Sequence, residues 1–287
     1  MKKSSALLVL LCATHPALVL ADNYLFPTDI LEEGKIDLQA SISKSTYSHS
    51  YGLEYKGFSG RGEEKFKTVG EEVLLRYGLG YESQIGVALP YESFLRRDRN
   101  ASAGSTIRFT EAHTDLNGNE NLQVWVKHRF IDGASSPLSL SAVLGIKANT
   151  ANKHRTGAWA DVVMGWKWSD QLQGYAGYEA SVSDQDELPD RHTVSAGLYQ
   201  QVSERLTLVP KIHFTHFESA SRYSETTLHP TDGYGVGLFA HWQALPNTYV
   251  MPGVGYSHLD GYRDGPYLAY GDSNNGKTIS LSLYHLF

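Results

Sequence analysis

At 287 residues and a formal charge of −6, the chain has room for one or two domains and lacks the basic balance that a nucleic-acid partner demands. A single cysteine, Cys12, leaves no disulfide framework and no cysteine-built metal site. With a mean hydropathy of −0.33 and no apolar run near 18 residues after its leader, the chain offers no further transmembrane helix.

The leader comes first. Lys2-Lys3 precede an apolar stretch over 6–20, and Val19-Leu20-Ala21 ends it on a small residue before Asp22. That is the pattern of a secretory signal peptide over 1–21, cleaved after Ala21 to leave 22–287 as one domain. Cys12 lies within the leader, and the bulky Leu11 before it argues against lipoprotein processing.

Beyond the leader, helical periodicity is nearly absent, and apolar–polar alternation at period two predicts twelve strands. They run over 35–48, 66–77, 83–95, 119–130, 138–149 and 159–168, then 172–183, 192–202, 206–217, 234–243, 249–258 and 277–287. The connections alternate in length. Those at 78–82, 131–137, 169–171, 203–205 and 244–247 are short, whereas 49–64, 96–116, 150–157, 184–191, 218–233 and 259–276 are longer and polar. A β-sandwich has no reason to gather its long loops at one end. A closed antiparallel transmembrane β-barrel of about 12 strands does, with short periplasmic turns and long extracellular loops. The chain then stops on Phe287, with Ile279, Leu281 and Leu283 alternating before it; the bacterial outer membrane is the expected location.

Energetics orient the strands. A Lys or Arg facing lipid costs about 2–4 kcal/mol at mid-depth. Leu122, Val124 and Val126 should therefore face out, with Gln123, Trp125, Lys127 and Arg129 facing in. Leu140, Ala142, Leu144 and Ile146, then Val162, Met164 and Trp166, and Ile212 and Phe214 follow the same rule. In the second strand Val73, Leu75 and Tyr77 suit the outer face, which leaves Glu71 on it unless a bulge at Gly70 resets the register. Candidate lumen-lining residues are Arg76, Glu92, Lys127, Arg129, Lys147, Asp161, Lys167, Glu179, Lys211, His213 and His241. They either pair with one another and plug the lumen or form a polar constriction that selects solutes.

Catalysis and metal binding find little support. The sequence has no Gly-x-Ser-x-Gly run, and His49, His113, His154, His192, His229 and His258 fall in loops or at strand ends. His213 and His216, three apart on a strand, point to opposite faces and chelate poorly. Asp184-Gln185-Asp186-Glu187 reads as a solvated loop, and the Asn100-Ala-Ser102 sequon carries no meaning in a bacterium. The residues imply no enzyme, no cofactor and no metal. Trp166, Trp168 and Trp242 beside short turns suit a periplasmic girdle.

One hairpin is more specific. Leu75-Arg-Tyr-Gly78-Leu-Gly-Tyr-Glu-Ser-Gln84-Ile-Gly-Val-Ala-Leu89-Pro90-Tyr91 resembles the strand–turn–strand core of the meta-pathway phenol-degradation family of outer-membrane proteins. Lys127-His128-Arg129 stands where that family ends a Gly-rich strand in Lys-Tyr-Arg. The chain departs in its turn, Gly80-Tyr81 replacing a Thr-Asp pair, and at Lys147-Ala-Asn-Thr150, where Pro-Thr-Gly is usual. The resemblance implies a channel or transporter for small, hydrophobic or aromatic, organic compounds. A structural or adhesive barrel with a plugged lumen is the alternative, and a lipid-face hydrolase the third. Expected partners are outer-membrane lipid, the small-molecule solute and the barrel-assembly machinery, which would read Phe287 as its signal.

Overall fold

The alternating segments form strands because each presents one apolar and one polar face, and only a sheet separates residues at period two. The computed structural model describes residues 26–55, 58–102, 106–109, 122–133, 136–148, 156–183, 189–222, 226–261, 263–264 and 269–287. The leader over 1–21, His113, His154 and the Asp184–Glu187 stretch lie outside them.

Twelve strands make up the wall: β1 (Ile36–Tyr55), β2 (Phe58–Gly80), β3 (Ser83–Ser102), β4 (Leu122–Ile131), β5 (Leu138–Ala148) and β6 (Gly157–Ser169) form one half. The other half is β7 (Leu172–Ser183), β8 (Arg191–Ser203), β9 (Leu206–Phe217), β10 (Thr231–Leu245), β11 (Thr248–Asp260) and β12 (Ala269–Leu286). Each pairs antiparallel with the next, and β12 returns to β1 from Asp37↔Leu286 to Leu53↔Ala269. The sheet is closed and leaves no edge. Short strands at Thr106–Phe109, Ala220–Arg222, Thr226–Leu228 and Arg263–Asp264 extend the long-loop end.

That end is taller than the alternation predicts. The stretch 49–64 is not a loop: β1 and β2 stay in register from Ile36↔Tyr77 to Tyr55↔Phe58. Likewise β3 continues to Ser102 within the predicted 96–116 connection, and β12 begins at Ala269 within 259–276. Above the membrane the outer face need not be apolar, so a polar strand pairs as well as an alternating one. Apolar periodicity marks only the membrane-embedded part of such a strand. No bulge occurs at Gly70, which pairs with Ser43 in continuous register, so Glu71 does lie on the outer face beside Ile42 and Tyr91.

The outer face is otherwise an apolar belt. Ile42, Val73, Leu75, Leu89, Val126, Leu144, Ile146, Val162, Met164, Ile212, Phe214, Val254, Ile279 and Leu281 are all exposed. So large a contiguous apolar surface is untenable in water and suits lipid. Tyr77, Phe130, Trp168, Trp242 and Phe287 add exposed aromatics at the short-turn end, and Trp166 is half-buried with its ring 5.4 Å from that of Trp168. The first of those turns places Tyr81 (φ 49°) and Glu82 (φ 56°) in the left-handed region between paired Gly80 and Ser83. This two-residue connection matches hairpin twist, although Asn-Gly would adopt it at lower cost. Glu82 gains a compensating contact, accepting from Arg129 Nε at 2.5 Å.

The closure seam carries a buried ionic knot. Arg76 on β2 donates to both carboxylate oxygens of Asp37 on β1, at 2.8 and 2.6 Å, and Tyr284 on β12 donates to the same carboxylate at 2.8 Å. All three side chains are buried. Asp37→Ala, which strands a buried guanidinium, should lower unfolding free energy by about 3–5 kcal/mol. Urea titration of the barrel in lipid vesicles measures it, and adding Arg76→Leu should recover most of the loss.

Candidate functional site: the barrel lumen

Inward-facing side chains and the segment before β1 build the lumen together. That segment, residues 26–35, opens with a tight turn: Pro27 follows Phe26, Asp29 N–H donates to Phe26 O at 2.8 Å, and Phe26 N–H donates to Asp29 Oδ2 at 3.1 Å. Pro at the second position suits such a turn, and the Asp29 carboxylate braces it by accepting from the first residue's N–H. From there the segment visits the inner wall strand by strand. Gly34 N–H donates to Gly78 O and Gly78 N–H to Lys35 O, both at 3.0 Å, on β2. Leu31 N–H reaches Gln84 Oε1 of β3 at 2.9 Å. Lys127 of β4 donates to Pro27 O at 2.6 Å and Asp29 O at 2.7 Å, and Thr28 donates to Ser139 Oγ of β5 at 2.6 Å. Phe26 then packs with Val163, Tyr175, Tyr199 and Val209, one each from β6 to β9.

Residues 26–35 therefore lie across the short-turn end of the lumen as a plug. Gly78 is required there, because a Cβ would fall 2.0 Å from Glu32 O. Burial pushes the Asp29 carboxyl above the usual range, opposed by the Lys127 ammonium. Sequence periodicity gives no sign of the plug, since an irregular segment has no period; the Pro27 and Asp29 turn residues were its one visible signal.

The predicted lining residues divide into three groups. Arg76 is locked in the seam knot and Lys127 holds the plug. Arg129 and Lys167 sit at the periplasmic rim rather than deep in the lumen: Arg129 bonds Glu82 and Asp132, and the exposed Lys167 lies 2.7 Å from Asp170. A strand's last inward position lies at the mouth, which parity alone does not reveal. Higher in the lumen, Lys147 Nζ lies 3.5 Å from Ser181 Oγ, Asp161 is opposite Glu179, and Glu179 is ion-paired with Arg191. Arg191 was hidden from the sequence by its place just before the predicted eighth strand. Lys211, His213 and His241 line the β9–β10 side, with His241 edge-on to Tyr199 at 5.6 Å. The side chain of Glu92 lies outside the described residues. Thus ion pairs occupy part of the lumen, and a peptide segment crosses its short-turn end.

Aromatic rings line the remaining wall, laid flat over glycines on the neighbouring strand. Trp125 covers Gly86 and Trp159 covers Gly145, where an added Cβ would fall 2.2 and 2.4 Å from the indoles. Gly86, Trp125, Gly145 and Trp159 are register partners in one row from β3 to β6. Tyr175 lies over Gly197 in the same manner. The outer face carries polar pairs near its extracellular end: His192 bonds Tyr178 and Glu218, and His216 bonds Asp232 at 2.6 Å. His216 and His213 do face opposite sides. Among the described residues no group of three His, Cys, Asp or Glu is placed to hold a metal ion.

No protein-family model and no curated protein matches the chain. Solved structures do. An outer-membrane channel from Pseudomonas putida F1 aligns with a TM-score of 0.54 at 11% identity, covering 91% of this chain and 98% of that one. A FadL homologue from Pseudomonas aeruginosa gives 0.49 at 10% identity, covering 93% and 96%. The CymD monoaromatic hydrocarbon channel gives 0.46 at 9%, covering 90% and 89%. The first likeness concerns fold, and with the closed sheet and apolar belt it defines an outer-membrane β-barrel.

Deleting 26–31, or combining Phe26→Ala with Lys127→Ala, should raise unit conductance in planar bilayers several-fold if the plug limits passage. Gly78→Val should act in the same direction by displacing the Glu32 carbonyl.

Proposed function

We propose that this chain is a non-enzymatic outer-membrane channel for small hydrophobic or aromatic organic compounds, related to the meta-pathway phenol-degradation family. The observation that carries it is the lining: Trp125, Trp159, Tyr175 and Phe239 lie flat on a glycine-rich wall, so the interior offers ring faces without filling its own cross-section. Flat apolar solutes exchange water for ring contacts at such a surface. The hairpin ending in Leu89-Pro90-Tyr91 supports the same family. In this account residues 1–21 are removed on export, the barrel-assembly machinery reads Phe287, and lipid covers the belt.

One observation favours a structural barrel instead, namely the plug across the lumen. Hydrolysis is disfavoured by local polarity. Ser83 Oγ lies 2.9 Å from His128 Nδ1, but the hydroxyl donates its one proton to Tyr81 O at 3.1 Å. The Tyr81 carbonyl thus competes with His128 for the one proton that a general base would have to take.

Flux into proteoliposomes decides between channel and scaffold. Phenol should enter faster than glucose through the intact barrel, and faster still once 26–31 is deleted. A barrel that stays impermeable to both solutes after the deletion is a scaffold.

A further inference from the structure

A recess of about 520 Å³, including its open mouth, is sunk into the inner wall where β9 to β12 approach β1. Its floor is backbone. Lys211 of β9 is flanked by Gly197 on β8 and Gly237 on β10, and the row continues through Gly255 of β11 to Thr278 of β12. Three strand spacings, about 14 Å, separate Lys211 from the next side chain along that row. Above and below, Gly235 and Gly253 also lack side chains of their own, but the His213 ring lies over Gly235 and the Phe239 ring over Gly253 and the edge of Gly237, which leaves Gly255 as the open part of the floor.

Chemistry is concentrated at the margins of this floor. The Lys211 side chain is buried, with 7% of its surface exposed, and its ammonium stands 5.8 Å from the centre of the Phe239 ring. Phe239 itself lies flat over Gly253, and on the opposite margin Tyr47 lies over Gly276. Thr278 and Ser280 supply hydroxyls along the far side. The recess thus combines the Lys211 ammonium, the rings of Phe239, Tyr47 and His213, and neutral hydroxyls around a slot that opens at Gly255.

We infer that this recess is a binding subsite for an aromatic monocarboxylate. The ammonium of Lys211 takes the carboxylate, a charge-assisted bond strengthened by the low local dielectric. The rings of Phe239 and Tyr47 cover the apolar body, which extends from Lys211 across the floor at Gly255 toward the hydroxyl-bearing far margin. Acetate meets the charge but leaves the rings uncovered, whereas phenol covers the rings but brings no charge. This assignment rests on the lumen being a solute path and narrows the solute to an anion.

Isothermal titration calorimetry of the purified full-length barrel in detergent, with benzoate, phenol and acetate as probes, tests it. Benzoate should bind at one site per barrel at least about tenfold more tightly than either competitor. Lys211→Met should remove that advantage and leave phenol unaffected, and Lys211→Arg should retain it. Gly255→Leu should abolish binding of both aromatics by filling the slot; the added Cβ meets only Val236 O at an ordinary 3.6 Å, so the wall accommodates it. Far-ultraviolet circular dichroism reports folding, and should Lys211→Met fail to fold, Gly255→Leu carries the test. Benzoate binding no tighter than acetate, or an unchanged preference in both variants, overturns the subsite. Tight benzoate binding without flux into proteoliposomes would sink the channel and leave the subsite standing; flux without preferential binding would do the reverse.

Discussion

Hydrocarbon offers no hydrogen bonds, so each backbone N–H and C=O in the wall needs a partner within the sheet. Closure of β12 onto β1 meets that demand, and the ladder reaches the end of the chain, where Phe287 N–H donates to Ile36 O at 2.8 Å. The Asp37–Arg76–Tyr284 knot ties β1, β2 and β12 at that seam, so the last strand to be paired is also held by side chains. Two prolines show how narrow the tolerance is. Between β8 and β9 the pairing passes from Leu208↔Gln200 to Lys211↔Gly197, skipping Pro210; between β10 and β11 it passes from Phe239↔Gly253 to Trp242↔Val250, skipping Pro252. Each proline keeps a continuous ladder on its other side, to β10 and to β12.

Closure also creates two solvents for one sheet. Every second side chain meets lipid, and the alternate ones meet the lumen. On the lipid side size and apolarity suffice, which is why Leu144 and Ile279 are among the most exposed side chains. On the lumen side the wall carries ions, rings and glycines in registered rows. A ring at one position is matched by a glycine on the next strand, which lowers the ring onto the wall and preserves cross-section. The same rule makes the β10–β11 recess, where glycines occur without rings to cover all of them.

The plug and the lining act against each other. Phe26 completes an apolar cluster with Tyr175 and Tyr199, its ring centroid 6.3 and 5.2 Å from theirs, in edge-to-face contact. These are the ring faces that a flat solute would otherwise meet. Lys127 spends its ammonium on two carbonyls of the segment, removing a cation from the path. Under the proposed channel function, passage and plugging would compete for the same groups at the short-turn end, while the Lys211 recess belongs to neither contact.

Much of this was legible in the residues. The strand count, the direction of every well-alternating strand and the short turns follow from period two and from the cost of a charge in lipid. The inward placement of Lys127, Lys147, Asp161, Glu179, Lys211 and His213 follows from the same parity. The alternating glycines at 233, 235 and 237 and at 253 and 255 were also visible, although a missing side chain does not announce what surrounds it. Parity fixes a face but not a depth, so Arg129 and Lys167 moved to the rim, and polar strand extensions at β1 to β3 passed for loops. Alternation along a strand was enough to tell which side of the wall a residue faces, because that depends only on its nearest neighbours in the chain. Tertiary structure alone decided which inward residues meet. Residues far apart in the chain become neighbours only once closure sets the register, and only then does the 26–35 segment find an interior to occupy.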